Sequence, residues 1–99
     1  PAFRNTTVPH LQRLAASYKK EESLLIKLRD SLREKEKRLA TEYSSQSHAQ
    51  QRGKKIENEL SKVQKEIFNI IENQIPAARR SRAEIESELR FRQQLAGAV

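Results

Sequence analysis

The chain has 99 residues, which is enough for one small domain. Charged residues make up 33% and hydrophobic residues only 35%, a balance that excludes a thick globular core but suits helices that each bury one stripe. Two glycines and three prolines are too few for the many turns of an all-β fold. With no cysteine, the chain cannot form a disulfide, a thiolate metal site or a thiol nucleophile. Composition therefore predicts an all-α protein.

The formal net charge is +7, with a pI of about 10.1. This balance predicts an acidic partner, which can be a nucleic acid, an anionic membrane surface or an acidic protein. The excess is spread along the chain, as is typical of solvated helix surfaces: +4 over residues 1–43, +1 over 44–75 and +2 over 76–99. No apolar run reaches the ~20 residues that cross a bilayer, and no secretion signal opens the sequence, so we expect a soluble intracellular protein.

A long first helix is predicted over residues 9–43, after a flexible arm at residues 1–8. Thr7 can cap this helix, and Pro9 suits its first turn. Along this helix, two lines of residues follow heptad spacing. Such lines predict a seam that faces another helix. The first line is Leu11, Tyr18, Leu25, Leu32 and Leu39; the second, interrupted by charge, is Leu14, Glu21, Leu28, Lys35 and Glu42.

The segment SSQSHAQQRG interrupts the pattern and holds no aliphatic side chain larger than alanine. We predict a turn at about 44–47 and a second helix over 48–74, with residue 54 as the alternative start. Two lines of apolar residues run along this helix, and two adjacent stripes predict two neighbouring helices. One line is Ile56, Leu60, Val63, Ile67 and Ile70, and the other is Phe68, Ile71 and Ile75.

Pro76 decides between two architectures. Inside a helix a proline loses a hydrogen bond, clashes with the preceding turn and costs ~3 kcal/mol, whereas in a first turn it costs little. It also pushes the preceding residue, Ile75, toward extended backbone. We therefore predict that the chain reverses here and that a third helix over 77–96 covers Phe68 and Ile71. The alternative is one continuous kinked helix, which would leave both side chains in water or require a dimer.

The predicted fold is an elongated antiparallel three-helix bundle with coiled-coil-like packing, a single domain over residues 9–99 and roughly 50 Å long. We expect a monomer, with a dimer as the alternative if the seams pair between chains. The residues expected to hold the bundle together are Pro76, Leu60, Val63, Ile67, Phe68 and Ile71.

Nothing in the sequence indicates catalysis. His10 and His48 lie far apart, and no cluster of acidic residues has metal-ligand spacing. The two glycines, Gly53 and Gly97, form no phosphate-binding loop. We expect a protein that is not an enzyme and that uses no metal, cofactor or small-molecule substrate.

Two groups of basic side chains are the candidate partner-binding residues. The segment ARRSR places Arg79, Arg80 and Arg82 in the first turns of the predicted third helix. The helix dipole disfavours positive charge there, and arginine forks suit carboxylates and phosphates. The second group lies on the first helix outside its heptad seam and consists of Lys19, Lys20, Arg33 and Lys37.

Two stretches resemble the tubulin-binding cofactor A family. TTVPHLQRLAASYKKEE, residues 6–22, is similar to the family's opening Thr-Gly-Val-Val-Lys-Arg-Leu stretch, matched at Thr6 or Thr7, Arg13 and Leu14. IPAARRSRAEIESEL, residues 75–89, resembles the family's Ile-Pro-Asp turn and the Arg/Glu-rich helix after it, although Ala77 replaces the aspartate. The predicted hairpin is also longer than the family's by roughly four helical turns.

The resemblance implies a three-helix bundle that acts as a non-catalytic chaperone for β-tubulin, an acidic protein, in tubulin folding and microtubule biogenesis. It also implies a cytoplasmic, cytoskeleton-associated location. Two alternatives remain from the residues themselves. One is a coiled-coil scaffold or tether that acts through helix–helix pairing, and the other is an electrostatic binder of nucleic acid or anionic lipid.

Overall fold

The computed structural model of the chain describes residues 3–45 and 50–97. Helix α1 spans Val8–Ser45, helix α2 spans Gln50–Asn69, a π-helical turn spans Ile70–Gln74, and helix α3 spans Ile75–Gly97. These residues contain no strand, which confirms the all-α class. The molecule measures 74 × 19 × 16 Å, which confirms the elongated shape but exceeds the predicted length of roughly 50 Å. Of the turn predicted at 44–47, Ser44 and Ser45 are helical and end α1, and residues 46–47 lie outside the described residues.

Helix α1 lies antiparallel to the second helical arm, which α2, the π turn and α3 build together. Leu39, late in α1, packs in one cluster with Ile56, early in α2. Glu22, in the first half of α1, contacts Arg79 in α3. Helix α1 contacts both α2 and α3, but α2 and α3 do not contact each other. The described residues therefore form a hairpin of two arms and not a bundle of three helices.

The chain reversal that we predicted at Pro76 is absent. Ile75 has helical backbone, with φ −63° and ψ −49°, and not the extended backbone that a following proline favours. Its N–H donates to the carbonyl oxygen of Ile70, five residues earlier, as in a π-helix. In a regular α-helix the ring of Pro76 would press on the carbonyl of Glu72. The wider turn directly before the proline relieves that conflict, so the helix continues through it.

The π turn also explains the two apolar stripes of the sequence. The seam of α2 reaches Ile70 and resumes at Ile75, a step of five residues, and both side chains are buried. Ile75 therefore belongs to the same seam and not to a second stripe. Phe68, expected beneath a third helix, is 65% exposed. Ile71 is partly buried against the cluster that contains Val63.

The core is one narrow seam between the arms. On α1 the first predicted line faces this seam, whereas the second does not, since Leu28 is 48% exposed. The reason is that α1 meets only one neighbour at each level of the rod. The partly buried residues of α1 outside the first line are Leu14, Ala15, Glu22, Ile26, Arg29 and Glu36. The buried hydrophobic side chains are Leu11, Leu39, Ile56, Val63, Ile67, Ile70, Ile75, Ala78 and Ile85, and Leu60 packs against them partly buried.

Part of the predicted N-terminal arm is attached to α3. The N–H of Thr6 donates to the carbonyl of Phe3 at 3.1 Å, which closes a turn before α1. The guanidinium group of Arg92 in α3 donates to the carbonyls of Phe3 at 2.8 Å, Arg4 at 2.9 Å and Thr6. Its Nε also pairs with Glu88 at 3.1 Å. One arginine thus joins the start of the chain to the end of the second arm.

Candidate partner-binding surface

The arginines of the ARRSR segment lie in α3 opposite the first half of α1, where two of them bind a glutamate. Arg79 Nε donates to Glu22 Oε1 at 3.1 Å, and Arg82 Nη1 lies 3.0 Å from Glu22 Oε2. Arg82 Nε also lies 3.6 Å from a carboxylate oxygen of Glu86. The side chain of Glu22 is only 14% exposed. These arginines therefore compensate a carboxylate that α1 brings into the seam.

This ion-pair network changes the interpretation of the arginines. We expected them to oppose the dipole at the start of a helix, but α3 continues directly from the π turn and has no free first turn there. Glu22 Oε2 accepts no hydrogen bond of normal geometry despite its short distance to Arg82. Proximity of opposite charges, more than directed hydrogen bonding, holds this oxygen. The arginines thus have a structural role whether or not they bind a partner.

The three arginines differ in how far they are available to a partner. Arg82 is 28% exposed and has two carboxylate neighbours, whereas Arg79 remains 57% exposed while it binds Glu22. Arg80 is exposed, and the structure gives it no ion pair within residues 3–45 and 50–97. Arg80 is therefore the most available of the three.

The second group of candidate residues, on α1, is exposed throughout: Lys19, Lys20, Arg33 and Lys37. Lys37 Nζ lies 3.9 Å from Glu34, and since both side chains are more than two-thirds exposed, this pair contributes little to stability. The other three make no ion pair with the described part of the chain. Their charges are available to an external partner.

The position of each basic residue relative to the seam shows which face of the rod it occupies. Lys19 and Arg33 each follow a seam residue of the first line by one position, and Arg79 follows the buried Ala78 by one. A twofold axis perpendicular to the plane of two antiparallel helices exchanges one helix with the other. This operation leaves each face of the pair on its own side. Positions one step after the seam therefore lie on the same face in both arms.

Lys37 follows the partly buried Glu36 by one and lies on the same side. We call this side the basic face and define it by Lys19, Arg33, Lys37 and Arg79; the same rule also places Glu57 and Glu86 on it. Phe68, which follows the buried Ile67 by one, lies on the same face. Lys20 and Arg80 point away from the seam, and Arg82 lies within it. The structure thus brings four of the seven candidate residues to one side, with an exposed aromatic ring that the sequence had assigned to the core.

The described residues contain no cluster of three His, Cys, Asp or Glu side chains that could hold a metal ion. None of the helices over residues 3–45 and 50–97 has the length and apolarity required to span a membrane. The chain matches no protein-family model, and it shows no significant similarity to curated proteins or to solved structures. The resemblance to the cofactor A family therefore rests on the two sequence stretches alone.

Proposed function

We propose that this chain is a non-catalytic binding protein that holds an acidic protein partner along its basic face. The observation that carries the proposal is that Lys19, Arg33 and Lys37 from one arm and Arg79 from the other share a face with Phe68. Exposed cations accelerate and orient the encounter with an acidic surface. An exposed aromatic ring among them supplies the apolar contact that dominates many protein interfaces.

We propose β-tubulin as the partner, which makes the chain a cytoplasmic chaperone in tubulin folding and microtubule biogenesis. The support for this choice is the resemblance of residues 6–22 and 75–89 to the cofactor A family, together with the acidity of tubulin. The described residues form a hairpin and not the three-helix bundle of that family, so the fold adds no support. The general proposal of an acidic partner rests on the basic face, whereas the choice of β-tubulin as that partner rests only on the resemblance.

A pull-down from cytosol tests both the binding face and the identity of the partner. The test variant reverses three charges of the basic face, Lys19→Glu, Arg33→Glu and Lys37→Glu. Arg79 is left unchanged because it binds Glu22, and its reversal would place like charges together inside the hairpin. The matched control reverses Arg38, Lys55 and Lys62, which each precede a buried seam residue by one and therefore lie on the opposite face.

We expect wild type and the control to capture β-tubulin, and the test variant to capture about tenfold less or lower. Capture should also weaken as salt is raised, since exposed charges are screened. Wild type that captures no β-tubulin would end the tubulin proposal. Equal capture by the test and control variants would end the assignment of the face. Binding of nucleic acid or anionic vesicles in place of an acidic protein would favour the electrostatic alternative.

A further inference from the structure

The second heptad line of α1 lies outside the hairpin seam, on the face opposite the basic face. Leu24 precedes a seam residue by one and is 55% exposed, and Leu28, one turn later, is 48% exposed. The other residues on this flank of α1 between positions 17 and 31 are Ser17, Glu21 and Ser31. The part of α3 that faces this flank also carries small side chains, Ala77 and Ser81. The middle of this face thus carries two exposed leucines among small uncharged side chains, and interface cores are likewise poor in charge.

The charges that border this patch are arranged symmetrically about Leu28. Glu21 stands seven residues before it and Lys35 seven residues after it, so all three share one heptad position. Both charged side chains are exposed, and neither makes an ion pair with the described part of the chain. If a second α1 is laid antiparallel on this flank with the two Leu28 side chains together, each Glu21 faces the Lys35 of the second copy. Leu24 then lies near Ser31 of that copy.

We infer that the chain forms a homodimer in which two α1 helices pack antiparallel on this flank, about a twofold axis at Leu28. A second copy is the occupant because one sequence supplies both halves of each ion pair, at equal distances from the axis. Complementary charges on facing helices set partner choice and orientation in helix pairs. The inference does not depend on the proposed function, because it uses the face that points away from the basic residues.

Charge exchange tests the pairing. Sedimentation equilibrium over a series of protein concentrations should show wild type passing from monomer to dimer. Glu21→Lys or Lys35→Glu alone should raise the dissociation constant about tenfold or more, because each places like charges together at both symmetric sites. The double variant exchanges the two charges and should restore the dimer. A monomeric wild type at every concentration, or a double variant no better than the single ones, would overturn the inference.

The apolar centre has its own control. Leu24→Ser and Leu28→Ser together should abolish the dimer, whereas Phe68→Ser, which removes an equally exposed ring from the opposite face, should leave it intact. Circular dichroism verifies that each variant remains helical. The reverse result, a dimer that depends on Phe68 and not on the leucines, would place the interface elsewhere and contradict the inference.

A disulfide tests the register directly, because the chain has no cysteine of its own. Leu28→Cys lies at the proposed axis, where the two copies come within the short Cα separation that a disulfide requires. Ser23→Cys, equally on α1 but one step after Glu22, lies on the basic face. Mild oxidation should cross-link the first variant at least about tenfold faster than the second. Equal rates would contradict the proposed axis.

Discussion

Glu22 in α1 and Arg82 in α3 approach to 3.0 Å across the middle of the hairpin, where the apolar seam of α1 is thinnest. Leu11 and Leu39 are the only buried side chains among the described residues of α1. Between them α1 contributes only partly buried side chains to the seam. A partly buried ion pair favours one alignment, because a shift of one turn moves one of the two arginines, Arg79 or Arg82, away from Glu22. Glu22 and its arginines therefore favour the observed register of the two arms.

Removal of this carboxylate tests that role. Glu22→Ala leaves Arg82 partly buried without its main counter-charge, so the free energy of unfolding should fall by about 1–2 kcal/mol. Urea titration followed by circular dichroism measures it. Glu21→Ala is the matched control at low protein concentration, since Glu21 is exposed and makes no ion pair within the described residues, and it should change stability by less than about 0.5 kcal/mol. Equal effects of the two variants would contradict the structural role of Glu22.

The position of the seam predicts that two hydrophobic side chains of the second arm contribute very differently to the free energy of unfolding. Ile85 is fully buried and Phe68 is 65% exposed. Ile85→Ala should lower the free energy of unfolding by about 2–5 kcal/mol, because it leaves a cavity. Phe68→Ala should change it by less than about 0.5 kcal/mol. Thermal and urea unfolding measure both, and a large loss at Phe68 would show that another helix covers this ring.

The π turn predicts that a proline is tolerated at position 76 and not elsewhere in the arm. Pro76→Ala should alter the free energy of unfolding by no more than about 1 kcal/mol and leave the helix content unchanged, because the turn already accommodates the ring. Ala83→Pro, at an exposed position of α3, should cost about 3 kcal/mol or more. Unfolding monitored by circular dichroism compares them. A similar loss from both substitutions would mean that the turn has no such specific role.

The hydrogen bonds of Arg92 predict that its substitution changes amide exchange only near the start of the chain. Arg92→Lys keeps the charge but cannot donate to three carbonyls from one planar fork. Amide hydrogen exchange in residues 3–7 should therefore become faster, while the exchange of amides around Val63 stays unchanged. Arg90→Lys, two residues away on an exposed position, serves as the control. Unchanged exchange at residues 3–7 would show that other contacts hold this turn.

The sequence predicted the helical class and the elongated shape because heptad spacing reports directly on helices that bury a stripe. The predicted three-helix architecture is wrong because two local rules about proline predict a break in the helix at Pro76. Those rules assume a regular i to i−4 pattern, and the π turn before the proline departs from it. The step of five residues between Ile70 and Ile75 was a visible sign of that departure. Assigning Ile75 to a second stripe is what leads to the prediction of a third helix.

The candidate surface was only partly predictable for a different reason. Exposure of Lys19, Arg33 and Lys37 follows from their positions beside an apolar line. The pairing of Arg79 with Glu22 joins distant parts of the chain and depends on the alignment of the two arms. One sign of it was present in the sequence, since Glu22, Arg29 and Glu36 repeat at heptad spacing directly beside the Leu25 line. Charged residues in such a line suggest partners on the facing helix.

The π turn also sets the rotational phase of the whole second arm. Each residue of a regular α-helix turns the chain by about 100°, so a step of five residues would carry Ile75 far from the line of Ile70. The wider π turn absorbs the extra residue, which keeps Ile75, Ala78 and Ile85 in the seam and Arg82 beside Glu22. Deletion of one residue from this exposed polar turn, at Glu72, Asn73 or Gln74, would leave a regular step of four and keep the seam aligned. It would also place Pro76 inside a regular α-helix, at a cost of about 3 kcal/mol. An inserted residue should be worse still, because it would rotate the rest of the arm out of the seam.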